Sequence, residues 1–315
     1  MKIVSQKQIK ELGIPPAECV KWVRESFLMK RDAQLPPKIS LHPQGNDFFN
    51  TMPCILPAEN NLFSVKIVHR IAGATPSLGS DLLLYNSATG ELLAMMDADW
   101  ITTMRTGAVA TLAAQTFRKN DSCQYGLLGL GNTGRATMLC LLESEPDKMH
   151  KVKLLRYKDQ AELFMERFGN YKNVEFSVCD KIEDIVASSD VIISCITNTN
   201  DILCPDDSLF RPGCLVIPVH TKGFQNCDLF FDKVFGDDTG HLHEFRYFDK
   251  FRRYAEIGEV LHGDTPGRET SDERILSYNI GLGLHDAVFA ARIFDRLKDN
   301  CMEINIERET SKFWI

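Results

Sequence analysis

The chain has 315 residues, a length that sets an expectation of about two domains and suffices to bury a core without disulfide staples. Lys and Arg total 36 against 43 Asp and Glu, a formal net charge of −7, which excludes a global pull toward nucleic acid or an anionic membrane. A hydrophobic share of 44% with 25% charged residues excludes wholesale disorder, and ten cysteines in this length fall far below the density of a secreted disulfide scaffold.

The opening, MKIVSQKQIKELGI, carries neither the apolar run nor the small-residue cleavage site of a signal peptide, and no stretch reaches the length of a membrane span. A cytoplasmic protein is the expectation. The first helix is predicted over Pro15 to Met29, where Val20, Val23 and Phe27 share one face with Cys19 beside them, and Pro36-Pro37 bars its continuation. Strand-like runs follow at Phe49 to Ile55, Leu62 to Ile71, Asp81 to Asn86 and Leu92 to Met96. The turn residues Ser87 to Gly90 make a hairpin of the last two. A helix is predicted from Thr102 to Phe117, with a Thr-rich start suited to capping and with Ala108, Ala110, Ala113 and Ala114 permitting close packing.

From residue 123 apolar runs of strand length alternate with helical segments. They read Tyr125 to Leu130, Thr133 to Leu142 (helix), Val152 to Arg156, Gln160 to Phe168 (helix), Val174 to Val178, Ile182 to Ala187 (helix), Val191 to Cys195, Cys214 to Val219 and Leu229 to Phe231. Near-continuous apolar strands separated by helices mean a parallel sheet covered on both faces. A long helix closes the pattern over Gly281 to Leu297. No two cysteines stand in a C-x-x-C pair, so no metal site is expected and the thiols read as small buried hydrophobes.

Gly129-Leu130-Gly131-Asn132-Thr133-Gly134 sits between the strand ending at Leu128 and the helix opening at Thr133, and the next strand arrives on schedule. In that context G-x-G-x-x-G is a dinucleotide fingerprint rather than a Gly-rich turn. The first glycine makes the tight turn, the second admits the pyrophosphate, and the third lets helix and strand approach. The helix N-terminus offers Asn132 and Thr133 backbone N–H groups to phosphate. At the end of the second strand, where an NAD site usually places Asp or Glu, this chain has Arg156, with Lys158 two residues on. A cation there suits the extra phosphate of NADP. Asp159 keeps NAD open, and solvated surface charge is the other reading of Arg156 and Lys158.

Asp97-Ala98-Asp99-Trp100-Ile101-Thr102-Thr103-Met104-Arg105-Thr106-Gly107-Ala108 leads directly into that loop. This block resembles the T-x-x-R-T-[AG]-A signature of the ornithine cyclodeaminase/mu-crystallin family. Val65-Lys66-Ile67-Val68 is similar to the family's substrate-lysine segment. Gly258-Glu259, Gly263 and Gly281 through Asp286 resemble its C-terminal landmarks, so the resemblance spans nearly the whole chain. It implies an α/β fold in which a Rossmann domain, residues 119–286, is inserted into a discontinuous α+β substrate-binding and dimerisation domain formed by residues 1–118 and a returning C-terminal helix, 287–315. It implies a homodimer, a nicotinamide cofactor (NADP or NAD) and a small amino or imino acid substrate, with no nucleic acid or membrane partner.

By position, Arg105 and Lys66 resemble the residues that hold the substrate carboxylate, a planar fork and a point charge respectively. Lys66 is also the candidate proton donor. Strand period alone leaves Lys66 pointing either to the core or to water. Lys38 stands where many members have Arg and is a third carboxylate partner, or a solvated loop charge. Thr102 and Thr106 are helix caps or contacts to cofactor phosphate. Cyclodeaminases of the family carry an Asp after the fifth Rossmann strand. Aligning Asp228 with the segment's closing acid puts Lys222 at that place, and a cation is a poor base for a water. Imine reduction or amino-acid dehydrogenation therefore gains over ornithine cyclisation, with His220 an alternative local acid or base. A cofactor-gated small-ligand binder in the manner of mu-crystallin is a rival of another class.

Overall fold

The computed structural model describes every residue except 198, 200, 220, 221, 308, 310 and 313–315. In chain order the elements are β1 (Lys2–Val4), α1 (Gln6–Glu11), α2 (Pro16–Met29), β2 (Ile39–Leu41), β3 (Phe48–Ile55), β4 (Leu62–Arg70), β5 (Leu78–Asn86), β6 (Leu92–Asp97) and α3 (Asp99–Phe117). Then come β7 (Gln124–Leu128), α4 (Asn132–Ser144), β8 (His150–Leu155), α5 (Gln160–Arg167), β9 (Val174–Cys179), α6 (Ile182–Ser188), β10 (Val191–Ser194) and β11 (Leu215–Pro218). The chain continues through β12 (Lys233–Gly236), α7 (Thr239–Leu242), β13 (Tyr254–Glu256), α8 (Ile257–His262), β14 (Ile275–Tyr278), α9 (Gly283–Leu297) and β15 (Met302–Glu303). Among the described residues no helix is long and apolar enough to cross a membrane, and no group of His, Cys, Asp and Glu is placed to hold a metal ion.

Two compact units emerge, each with its own sheet. The first comprises Met1–Gly13, Asp32–Thr102 and Asp286–Ile315. Its strands run in the order β15-β1-β6-β5-β4-β3-β2, antiparallel except for the β1–β6 pair. Alternation along the strands separates two faces. Met52, Ser64, Lys66, Val68, Leu82, Leu84, Ala94 and Met96 are buried on one, while Ile39, Leu41, Phe49, Ile67 and Met95 lie exposed on the other.

The second unit comprises Ile14–Arg31 and Thr103–His285. Its sheet, ordered β13-β12-β14-β11-β10-β7-β8-β9, is parallel throughout. The chain runs outward from β7 through β8 to β9, then returns to β10 on the other side of β7. That reversal makes the carboxyl ends of β7 and β10 the topological switch point, where open α/β sheets bind their ligands.

These boundaries depart from the expected division at 118/119 and 286/287. Helix α2 belongs with the parallel sheet because its buried face, Cys19, Val20, Trp22, Val23 and Phe27, packs on α4 and α8. Residues 103–117 of α3 join the same unit. A Cβ on Gly107 would stand 2.5 Å from the Ala136 carbonyl carbon and the Thr137 nitrogen, so α3 and α4 touch backbone to backbone there. An amphipathic pattern identifies the face a helix buries but not the element it buries against.

Two local expectations also change. Leu229 to Phe231 is not a strand: a 3₁₀ turn covers Cys227–Leu229 and the strand lies at β12. Phe231 instead plugs the core edge-on to Phe210, ring centroids 5.7 Å apart. Helix α3 begins at Asp99, three residues before Thr102, so the threonines are not its caps. Asp97 Oδ1 accepts the Asp99 N–H at 3.0 Å, and Asp99 Oδ1 accepts the Ser80 N–H at 2.6 Å.

Candidate active site

In the parallel-sheet unit the glycine loop lies at the switch point. Gly129 has φ +86°, and a Cβ there would lie 2.7 Å from the Cys195 carbonyl carbon, just past the end of β10. Gly134 is equally constrained, since a Cβ on it would collide with the carbonyl oxygen of Gly129. Gly131 differs: nothing lies within 4 Å of its Cβ position and the residue is exposed. The first and third glycines are thus required by the protein's own packing. The second leaves open space before the N-terminus of α4, where no side chain caps the helix. Open backbone at an uncapped helix N-terminus fits a pyrophosphate. Asn132 is exposed and Thr133 half-buried at the same terminus.

Arg156, just past β8, is exposed and bonded by Nε to Asp180 Oδ1 at 2.7 Å and by Nη1 to Glu162 Oε1 at 2.6 Å. Lys158 is exposed with φ +52°, its Nζ 5.4 Å from the Tyr157 ring centroid.

In the other unit Lys66 lies at the middle of β4, in register with Met52 and Leu82, and is 0% exposed. It faces the core and not water. Its Nζ donates to Asp286 Oδ1 at 2.8 Å and to Thr102 Oγ1 at 3.1 Å, and the Thr102 hydroxyl lies 2.9 Å from Ser80 Oγ. Asp286, also fully buried, is a partner of Lys66 that the sequence did not single out. Its signal was available, because the Gly281 to Asp286 landmark ends on an acid in the first turn of a helix, where a carboxylate is favoured. Lys38 is half-buried and immediately precedes Ile39, the register partner of Thr51. Extending that antiparallel register by one step puts Lys38 in the row that holds Met52 and Lys66.

Arg105 belongs to the parallel-sheet unit and is 6% exposed. It is a buried cation and not a surface charge. Gly281, φ +92°, approaches it so closely that a Cβ there would lie 3.0 Å from its Cζ and 3.1 Å from Nη2. Thr106 follows it, half-buried. Lys222 is exposed, while His220 lies outside the described residues. Asp228 is buried and accepts the Tyr278 hydroxyl at 2.8 Å. Burial pushes its carboxyl up to about 7, against the opposing pull of that hydrogen bond.

A profile of the ornithine cyclodeaminase/mu-crystallin family matches residues 2–300. The chain is 26% identical over 322 aligned positions to the Delta(1)-pyrroline-2-carboxylate reductase of Colwellia psychrerythraea, covering 95% of this chain and 100% of the relative. Among solved structures it is similar to Thermococcus litoralis Delta(1)-pyrroline-2-carboxylate reductase in complex with NADH and L-proline, with a TM-score of 0.83, 22% identity and coverage of 96% and 100%. It is equally similar to an archaeal alanine dehydrogenase dimer with bound NAD, with a TM-score of 0.83, 22% identity and coverage of 98% and 99%. At these identities the likeness to the solved structures is one of fold.

Proposed function

The chain belongs to the ornithine cyclodeaminase/mu-crystallin family, and we propose that it is an NAD(P)H-dependent oxidoreductase acting on the C–N bond of a small imino or amino acid, a cyclic imine first among them. The observation that carries this reading is the glycine loop. Its first and third glycines are fixed by packing, and the second, Gly131, keeps open backbone in front of a helix N-terminus that no side chain caps. Around it, Gly129 to Gly134 hold the pyrophosphate, with Thr106 a further phosphate contact. The nicotinamide, when bound, supplies or accepts a hydride at the carbon bonded to nitrogen.

The remaining work falls to this chain's own cations. Lys66 and Arg105, with Lys38, bind the substrate carboxylate, and Lys66 delivers the proton to the imine nitrogen. Asp286 and Thr102 hold the Lys66 ammonium in one direction, so orientation is set before the substrate arrives. Arg156 and Lys158 select NADP over NAD. Exposure suits this, because a phosphate can take the place of the Asp180 and Glu162 carboxylates on the Arg156 guanidinium. Homodimerisation uses the exposed apolar face of the seven-stranded sheet, where Ile39, Leu41, Phe49, Ile67 and Met95 cluster. The archaeal alanine dehydrogenase of similar fold is described as a dimer, which supports a dimer without specifying the face. Ten free thiols suit a reducing, cytoplasmic setting.

One panel tests the reading. NADPH and NADH oxidation is followed with Delta(1)-pyrroline-2-carboxylate, six-membered cyclic ketimines, 2-oxo acids and pyruvate plus amines, and the reverse reaction with proline, alanine and ornithine. Imine-dependent oxidation of NADPH is expected. Proline and ammonia formed from ornithine without net cofactor consumption would establish cyclisation instead. Tight NADPH binding with no turnover on any substrate would establish a binding protein.

A further inference from the structure

The turn that carries Gly281 is held by a second buried acid. Asp237 follows β12 and is 1% exposed. Its Oδ2 accepts two backbone N–H groups, from Ile280 at 2.8 Å and from Gly281 at 2.6 Å. These groups lie just beyond β14, the neighbour of β12, with Gly236 and Tyr278 in register. One carboxylate oxygen thus staples the chain at 280–281 to the end of the adjacent strand. From the other side Lys30 donates to the Asp237 carbonyl at 3.2 Å and pairs with Asp238 at 2.6 Å and Glu256 at 2.5 Å. Hydrogen bonds from a charged acceptor are the stronger kind, so the backbone of Gly281 has little freedom to move away.

Gly281 in turn is the wall against which the Arg105 guanidinium lies. Three guanidinium atoms fall within 3.1 Å of the place its Cβ would occupy. Residue 281 therefore has to be glycine twice over, for its φ of +92° and for that close approach. A guanidinium binds a carboxylate through a planar fork, and the plane decides whether both N–H groups reach both oxygens.

We propose that Asp237 is a positioning residue for Arg105: by pinning residues 280 and 281 it fixes the plane of the guanidinium that receives the substrate carboxylate. The proposal rests on the carboxylate-binding role given to Arg105 above. The plane matters for how tightly the acid is held and not for the chemistry on its nitrogen, so the effect falls on KM and not on kcat.

The test uses Asp237→Ala, Asp237→Asn, Gly281→Ala and Arg105→Ala in the full-length protein. It reads kcat and KM for Delta(1)-pyrroline-2-carboxylate and, by calorimetry, the Kd for the unreactive pyrrole-2-carboxylate and for its uncharged carboxamide. Cofactor affinity by fluorescence titration reports an intact fold. Asp237→Ala is expected to raise KM and the carboxylate Kd by about tenfold, the loss of charge-assisted bonds. Its kcat and its cofactor and carboxamide affinities stay within about twofold. Asp237→Asn keeps the shape and one acceptor and is expected to lose about threefold. It carries the test by itself if the alanine variant fails to bind cofactor. Combined with Arg105→Ala, Asp237→Ala should add nothing further. If Arg105→Ala leaves carboxylate affinity unchanged, the role of Arg105 itself falls. If Arg105→Ala weakens the carboxylate but the Asp237 and Gly281 variants do not, or weaken carboxylate and carboxamide alike, positioning by Asp237 is overturned while the reading of Arg105 stands.

Discussion

Lys66 occupies a position where most strands place a methyl group. Its neighbours across the sheet are Met52 and Leu82, and its charge is met by Asp286 at 2.8 Å with neither side chain exposed. Two charges removed from water are tolerable only as a pair, and removing one of them costs about 3–5 kcal/mol. Asp286→Ala should therefore reduce the unfolding free energy measured by urea titration by an amount in that range and abolish turnover. Lys66→Met with Asp286→Leu should recover most of the stability and none of the activity. Recovery of activity in the double variant would show that the pair serves the fold alone. Arg156 obeys a different rule, because it is exposed and already bridges Asp180 and Glu162. Arg156→Ala is expected to weaken NADPH binding by about tenfold and leave NADH within about twofold. Fluorescence titration of both cofactors decides it, and tighter binding of NADH than NADPH by the unmodified protein would overturn the NADP assignment. The three glycines were legible from the residues alone, whereas Arg105 and Lys66 stood out only through the family resemblance of the segments that hold them. The contacts of Asp286 and Asp237 were not legible, because each acid's partner lies hundreds or tens of residues away in sequence.

At the scale of elements, close approach decides what α4 can be. Its Gly134 faces the Gly129 carbonyl with no room for a Cβ. Gly134→Ala should destabilise the protein by roughly 1–3 kcal/mol, as overpacking does, and remove cofactor binding. Calorimetry with NADPH and a thermal melt on the same sample check both. The seven-stranded sheet shows the opposite situation, a face with too little packed on it. Ile39 and Leu41 are about 60% exposed at its β2 edge, and Phe49, Ile67 and Met95 continue the patch inward. Ile67→Glu with Met95→Lys should convert a dimer to a monomer in sedimentation velocity while leaving cofactor affinity unchanged. An unaltered sedimentation coefficient would place the interface elsewhere. The alternation on β3 to β6 was readable as a strand pattern. Which of its faces turned inward was not, since both carry Val, Ile, Leu or Met.

On the scale of the molecule, acid bears on the parallel-sheet unit through His150, while Asp228, raised to about 7 by burial, works in the opposite direction over the same range. His150, at the start of β8, is fully buried beside Tyr125, with its Nε2 3.7 Å from Glu145 Oε2. Burial drives its imidazole down to about 4; Glu145 pulls upward, while Arg118 and Lys148 add to the lowering. Unfolded, the same group titrates near 6.5. Between those values the unfolded chain binds the extra proton at this group, so the contribution of His150 rises with pH across the window. The contribution is fully present above about pH 6.5 and is lost as the pH falls toward about 4, up to roughly 3 kcal/mol. Urea midpoints at pH 7, 5.5 and 4.5 should fall more steeply for the natural chain than for His150→Leu. Parallel slopes for the two proteins would remove His150 as the cause.

The sequence by itself determined the chemistry and the class of fold. G-x-G-x-x-G between strand and helix, Arg105 in its block and the β–α alternation after residue 123 are local patterns, and local patterns survive in one dimension. Tertiary structure alone decided the boundaries and the partners. Helix α2 joined the parallel sheet because its apolar face met α4 and α8, not because of its place in the chain. Lys66 turned inward because Asp286, 220 residues away, was there to meet it. Gly281 became a wall for Arg105 because Asp237 held it from the neighbouring strand. Burial and charge compensation are properties of surroundings, and those surroundings exist only once distant segments of chain have been brought together.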